Sequence, residues 1–135
     1  SIEVQVRQDA NIPSNGTIVH KGDLSNQKDA DYALTINNGI FRLQLYNAAG
    51  NTYTLSSGVQ AVMGQWYTVR GAWDASGMRI YVDGVLRNSN TTAVTVLQTD
   101  STDIRSALLF GTNVDGNSGQ KTPVTIGDVK IGTDC

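Results

Sequence analysis

Residues 65–86, QWYTVRGAWDASGMRIYVDGVL, restrict the fold more than any other stretch of the chain. Two alternating runs are joined by Asp74-Ala75-Ser76-Gly77, and a second tight turn follows at Asp83-Gly84. Asp and Gly supply turn geometry that β-branched residues resist, while Trp66, Val69, Trp73, Met78, Ile80, Val82 and Val85 supply pleated apolar surface. That pattern is a β-meander, and it commits the neighbouring chain to antiparallel sheet.

The rest of the composition agrees. With 135 residues the chain is expected to be one domain, 1–135, large enough to bury a core without metal or disulfide staples. The apolar 39% is spread in short alternating runs between Gly, Asn, Ser, Thr and Asp, which favours many strands over helices. Residues 58–63 or 102–106 could hold a single turn, but neither sustains a 3.6-residue period. No run approaches the ~20 apolar residues of a membrane span and no charged-then-apolar leader is present, so a soluble chain, without membrane insertion and already processed if secreted, is expected.

A net charge of −2, with ten basic residues scattered singly, argues against a nucleic-acid partner. The one cysteine, Cys135, ends the sequence, so there is no internal disulfide framework, and its role is left open. Asn15-Gly16-Thr17 and Asn90-Thr91-Thr92 match the N-glycosylation pattern, which chance readily produces in a chain this rich in Asn and Thr. The longest breaks in apolar alternation are residues 22–31, GDLSNQKDAD, and 111–120, GTNVDGNSGQ. Both exceed what a tight hairpin needs, and long loops on a rigid scaffold are where binding concentrates.

The Gly-x-Trp-Asp close of residues 71–74, the Gly turn and the following MRIYVDG resemble the laminin-G-like, concanavalin A-like jelly roll. SIEVQVR at 1–7, IVHKGD at 18–23, YALTINNG at 32–39, FRLQL at 41–45, LLFG at 108–111 and VTIGDVKI at 124–131 are similar to other strands of that family. The resemblance implies an all-β, antiparallel two-sheet sandwich, a jelly roll. Its core is expected to include Val4, Leu43, Leu45, Trp66, Val69, Ile80, Val82 and Ile126, with Trp66 matching the family's buried core Trp. Tyr67 and Trp73 share strand parity and are expected to point inwards, and Tyr81 to be packed. Family members usually carry a strand before the one SIEVQVR matches, and whether the sandwich lacks that first strand is left open.

Catalytic groups are scarce. Glu3 is the sole glutamate and His20 the sole histidine. Glycoside hydrolysis commonly uses two carboxyl groups across the scissile bond, and the Glu-x-Asp-x-x-Glu signature of glycosidases with this fold is absent. His20 has no Gly-x-Ser-x-Gly turn or comparable nucleophile setting to serve, and one His with one terminal Cys cannot build a zinc site without several Asp ligands. The expectation is a non-enzymatic protein, with Glu3 an ordinary strand carboxylate and His20 a strand-end histidine bonded to backbone.

Oxygen ligands, by contrast, are plentiful and suit calcium. The resemblance implies a structural calcium on an Asp of the final strand with backbone oxygens of an early loop. Asp128 is the matching carboxylate, and Gly22 and Asp23 are the loop partners. Gly127 departs from the family, where many members carry Asp. The oxygen-rich run from Asn113 through Asp115 to Asn117 has a central Gly116 but lacks the closing Glu of an EF-hand, so a polar turn is its simpler reading.

Sugar recognition needs an aromatic platform and planar polar side chains. Tyr46 and Tyr53 flank a hairpin tip and are the expected exposed platform. Asp29, Asp31, Asn113, Asp115 and Asn117 are the expected polar contacts. The leading functional expectation, implied by the resemblance, is an extracellular or cell-surface carbohydrate-binding, lectin-like module whose partner is a glycan or polysaccharide, stabilised by calcium. The alternative is a structural or adhesive subunit that assembles as a homo-oligomer or with a strand-donating partner chain, filling the groove a missing strand would leave.

Overall fold

The computed structural model describes residues 1–10, 15–22, 30–46, 51–91, 108–110 and 123–132, with the backbone alone described at 15, 22, 30, 31 and 108–110. Every regular element among them is a strand. In chain order they are β1 (Ile2–Gln8), β2 (Asn15–Gly22), β3 (Ala30–Asn37), β4 (Ile40–Tyr46), β5 (Thr52–Gln60), β6 (Trp66–Asp74), β7 (Gly77–Val82), β8 (Val85–Asn90), β9 (Leu108–Phe110) and β10 (Val124–Ile131). They form two five-stranded antiparallel sheets, ordered β10-β1-β6-β7-β8 and β5-β4-β3-β2-β9. This is the expected two-sheet jelly-roll sandwich.

Local chemistry fixes the hairpins. Asn38-Gly39 joins β3 to β4 and Asp83-Gly84 joins β7 to β8, with φ of 51° and 79° in the first pair and 52° and 79° in the second. Two consecutive positive φ values make the turn whose twist matches the flanking strands, and Asx-Gly is the sequence that adopts it most easily. At the β6–β7 turn, Asp74 Oδ1 accepts the Ser76 backbone N–H at 2.8 Å and also the Ser76 hydroxyl, while Asp74 Oδ2 accepts from Arg79 at 3.0 Å. Led by the Ser76 hydroxyl and then Arg79, these bonds hold the Asp74 carboxyl down at about 2.

The core lies between the sheets, as period-2 alternation requires. Ile2, Val4, Val6, Tyr67, Val69, Met78, Ile80 and Val82 of the first sheet meet Ile18, Leu34, Ile36, Phe41, Leu43, Leu45 and Leu55 of the second, all buried. Two aromatic contacts bridge the sheets: Phe41 meets Tyr67 at 5.2 Å between ring centroids and Tyr32 meets Trp73 at 5.3 Å. Gly71 is required beneath Leu43, since a Cβ there would stand 2.6 Å from Leu43 Cδ1. Ile126 is partly buried against this core.

Trp66 corrects an expectation. It is 46% exposed, because it opens β6 with the parity opposite to Tyr67 and Val69 and therefore stands on the outer face of the first sheet. β1, moreover, is paired on both flanks, by β6 and β10, and Ile2, Val4 and Val6 are fully buried, so among the described residues no groove opens beside it.

Candidate functional site

Because the odd residues of β6 fill the core, its even residues build the outer face of the first sheet. Cross-strand register sets Trp66 beside Arg7, Thr68 beside Gln5, and Arg70 between Glu3 and Tyr81. The indole of Trp66 crosses β1 to reach β10: its Cζ3 lies 3.4 Å from where a Cβ of Gly127 would be, and Gln5 Oε1 lies 3.0 Å from the same point. A Cβ at residue 127 would crowd Gln5 and touch the ring at van der Waals distance, and a longer side chain would compete with the ring for the same surface. The missing carboxylate at Gly127 thus has a steric meaning here, as the floor on which Trp66 lies.

The surroundings of the ring are fixed by short-range bonds. Arg7 places its guanidinium 5.3 Å from the indole centroid, and is itself held by Asp9 Oδ1 at 2.7 Å and Thr125 Oγ1 at 3.1 Å. The Thr125 hydroxyl, and then Arg7, lower the Asp9 carboxyl below the usual carboxylate range. On the other side, the Asp83 N–H donates to the Thr68 carbonyl at 2.8 Å and Asp83 Oδ1 accepts the Thr68 N–H at 2.9 Å, which ties the β7–β8 turn to β6. Between them Gln5, Trp66, Tyr67, Thr68 and Asp83 line an open recess of about 310 Å³. An exposed aromatic face beside an amide, a hydroxyl and a carboxylate offers a pyranose both an apolar stacking surface and hydroxyl partners.

The sites expected from sequence fall elsewhere. Tyr46 is only 4% exposed, and burial pushes its phenol up, so it is not the expected open platform. Tyr53 pairs with Leu45 and packs against the core, because register gives it Leu45's inward parity. Asp128 is exposed on β10 at a bulge opposite Gln5, and its N–H points at Gln5 Oε1 at 3.4 Å. Gly22 ends β2, paired with Ala30 in the other sheet. Asp31 lies in β3 with only its backbone described, and Asp23, Asp29, Asn113, Asp115 and Asn117 lie outside the described residues. Among the described residues no three His, Cys, Asp or Glu side chains gather as a metal site. His20 is fully buried on β2.

Sequence reasoning missed Gln5, Thr68 and Asp83 and put Trp66 inside. The signal was available: Trp66 and Val69 are three residues apart in an alternating strand and cannot share a face.

Structural comparison supports the fold. Domains LG4-5 of the mouse laminin α1 chain align over 95% of this chain and 34% of their own, with a TM-score of 0.69 at 21% identity. The ligand-binding domain of botulinum neurotoxin serotype D, solved with N-acetylneuraminic acid, aligns over 95% and 31%, with a TM-score of 0.68 at 16% identity. A leech intramolecular trans-sialidase solved with 2,7-anhydro-Neu5Ac aligns over 95% and 20%, with a TM-score of 0.68 at 21% identity. The chain therefore spans about a third or less of the length of each of these relatives. No curated protein sequence gives a significant match. The family model described as the concanavalin A-like lectin/glucanases superfamily, of laminin-G type, matches residues 1–134, and with a two-sheet jelly roll observed throughout the described strands, the chain belongs to that superfamily.

Proposed function

We propose that this chain is a non-catalytic carbohydrate-binding module that recognises glycan on the outer face of its first sheet. The observation that carries the proposal is Trp66: a 46% exposed indole laid over Gly127 and flanked by Arg7, in a chain whose other described aromatic residues are buried or partly buried. Supporting it, one relative of the same fold is a ligand-binding domain solved with a sialic acid. The trans-sialidase relative is an enzyme, but this chain matches only 20% of its length. The sole glutamate, Glu3, lies between Arg70 and Lys130 in the cross-strand register, without an acidic cross-strand partner with which to divide acid and nucleophile roles. An extracellular or cell-surface location goes with this reading.

A glycan array probed with the wild-type chain and Trp66→Ala tests it. Binding in the micromolar to millimolar range, about −8 to −4 kcal/mol, that disappears in Trp66→Ala is the expected result. Wild-type binding unaffected by the substitution moves the site to Asp29, Asp31, Asn113, Asp115 and Asn117, the contacts expected from sequence. No binding to any glycan rejects the function.

A structural calcium on Asp128, Gly22 and Asp23 is a separate proposal, because the described residues contribute one carboxylate toward the about six to eight oxygens calcium takes. If calcium binds the native state, saturating calcium raises the melting temperature and Asp128→Ala removes the rise. An unchanged melting curve in chelator rejects it.

The strand-adding subunit keeps one supporting observation: edge strand β8 is exposed along its whole length, with Val85 at 50% and Leu86 at 49%. Concentration-dependent oligomers abolished by Val85→Lys are its test.

A further inference from the structure

Two other recesses follow the one beside Trp66 on the same sheet face, each sharing wall residues with the one before it. Beyond it, Glu3, Thr68, Arg70, Tyr81 and Gly84 line a second, of about 320 Å³. A third, of about 230 Å³, has Glu3, Arg70, Lys130 and Ile131 among its walls. Thr68 is common to the first and second, and Glu3 and Arg70 to the second and third, so one trough runs along β6 and turns toward β10. From Trp66 to Arg70 is roughly 13 Å of strand at ~3.3 Å per residue, longer than a single pyranose ring.

Its lining has a definite chemistry. Trp66 opens one end, and Tyr81, with the Arg70 guanidinium 5.2 Å from its ring centroid, stands in the second recess, where the trough turns. Glu3, Gln5 and Thr68 lie between with acceptors and donors for hydroxyl groups. The charged side chains in its walls balance, Arg70 and Lys130 against Glu3 and Asp83, and Arg7 beside it is ion-paired to Asp9. A polyanion would find no net positive field here.

We infer that the trough takes an uncharged, linear oligosaccharide in extended form, with one ring on Trp66 and a later ring at Tyr81. Hydroxyl groups of the intervening units bond Thr68, Glu3 and Arg70. This inference rests on the carbohydrate-binding proposal and adds ligand length and charge class to it.

The test is calorimetric titration with cello-, xylo- and manno-oligosaccharides from the monosaccharide to the hexasaccharide, with 3′-sialyllactose and polygalacturonate as the acidic arm. One uncharged series should gain about tenfold in affinity between the monosaccharide and the tetrasaccharide, as a second stacked ring contributes, and then level off. Tyr81→Ala or, should that variant lose its fold, Tyr81→Leu should erase the gain with length by removing the second stacking ring. Trp66→Ala should weaken every member of the series. Affinity that depends on Trp66 but not on length overturns the extended trough and leaves the carbohydrate-binding proposal standing. Binding confined to the acidic arm overturns the charge class, and absence of binding in both arms removes the two proposals together.

Discussion

Trp66 and Tyr67 are adjacent aromatic residues that the sandwich separates into surface and core, and replacing each by alanine should give opposite phenotypes. Tyr67 is 6% exposed, packs edge-on against Phe41 at 5.2 Å, and its hydroxyl oxygen accepts the Val62 N–H at 2.8 Å. Truncating a buried aromatic side chain in such a core costs ~3–5 kcal/mol. Trp66 is about half as buried, which at roughly 1.5–3 kcal/mol for complete burial of a large side chain corresponds to about 1 kcal/mol. Its contact with Arg7 adds about 0.5–1 kcal/mol at an exposed site, for a total of about 1.5–2 kcal/mol. Denaturant unfolding of the two variants against wild type measures both values, and the same proteins are then tested for glycan binding. Tyr67→Ala should lose most of its stability. Trp66→Ala should stay folded and lose binding. Equal destabilisation by the two substitutions would refute the strand parity on which the site is built.

Gly71→Ala should destabilise by ~1–3 kcal/mol, since its new Cβ would meet buried Leu43 at 2.6 Å, and combining it with Leu43→Val in a double-mutant cycle should recover part of the loss. Gly127→Ala should displace the Gln5 side chain, whose Oε1 would stand 3.0 Å from the new Cβ, and so disturb the recess and weaken glycan binding with little change in melting temperature, because Gln5 and residue 127 are exposed. The Asp74 carboxyl should titrate in the folded protein at about 2, and Ser76→Ala, which removes the leading cause, should move it up toward the ordinary value. Because the folded value is the depressed one, the stabilisation from this turn is complete above pH ~4 and is lost as the pH falls toward 2. NMR titration of the side chain together with acid unfolding reads both effects.

Much of this architecture is local, and local chemistry is legible in a sequence. Asn38-Gly39 and Asp83-Gly84 specify their hairpins because few residue pairs tolerate two consecutive positive φ values, and the runs between them alternate as half-buried strands do. From these alone follows the all-β class, and Val4, Leu43, Leu45, Val69, Ile80 and Val82, expected inside from the family resemblance, are buried. The resemblance to jelly-roll proteins supplied the two-sheet arrangement.

The candidate site was less legible because its parts are distant in sequence. Alternation states that Trp66 and Tyr67 oppose one another, but which of them faces the second sheet is settled by the apolar positions of Val69, Ile80 and Leu43 acting together. Tyr46 shows the same dependence: next to inward Leu45 in the strand, it is nonetheless buried. Gly127 becomes the floor of the indole only once β10 has paired with β1, some sixty residues from Trp66 in the chain. What the sequence determined by itself was turn geometry and strand periodicity, which depend on steric limits within a few bonds. What only the tertiary structure decided was which face remained open and which groups met on it, because that depends on pairing register between strands whose order no local propensity encodes.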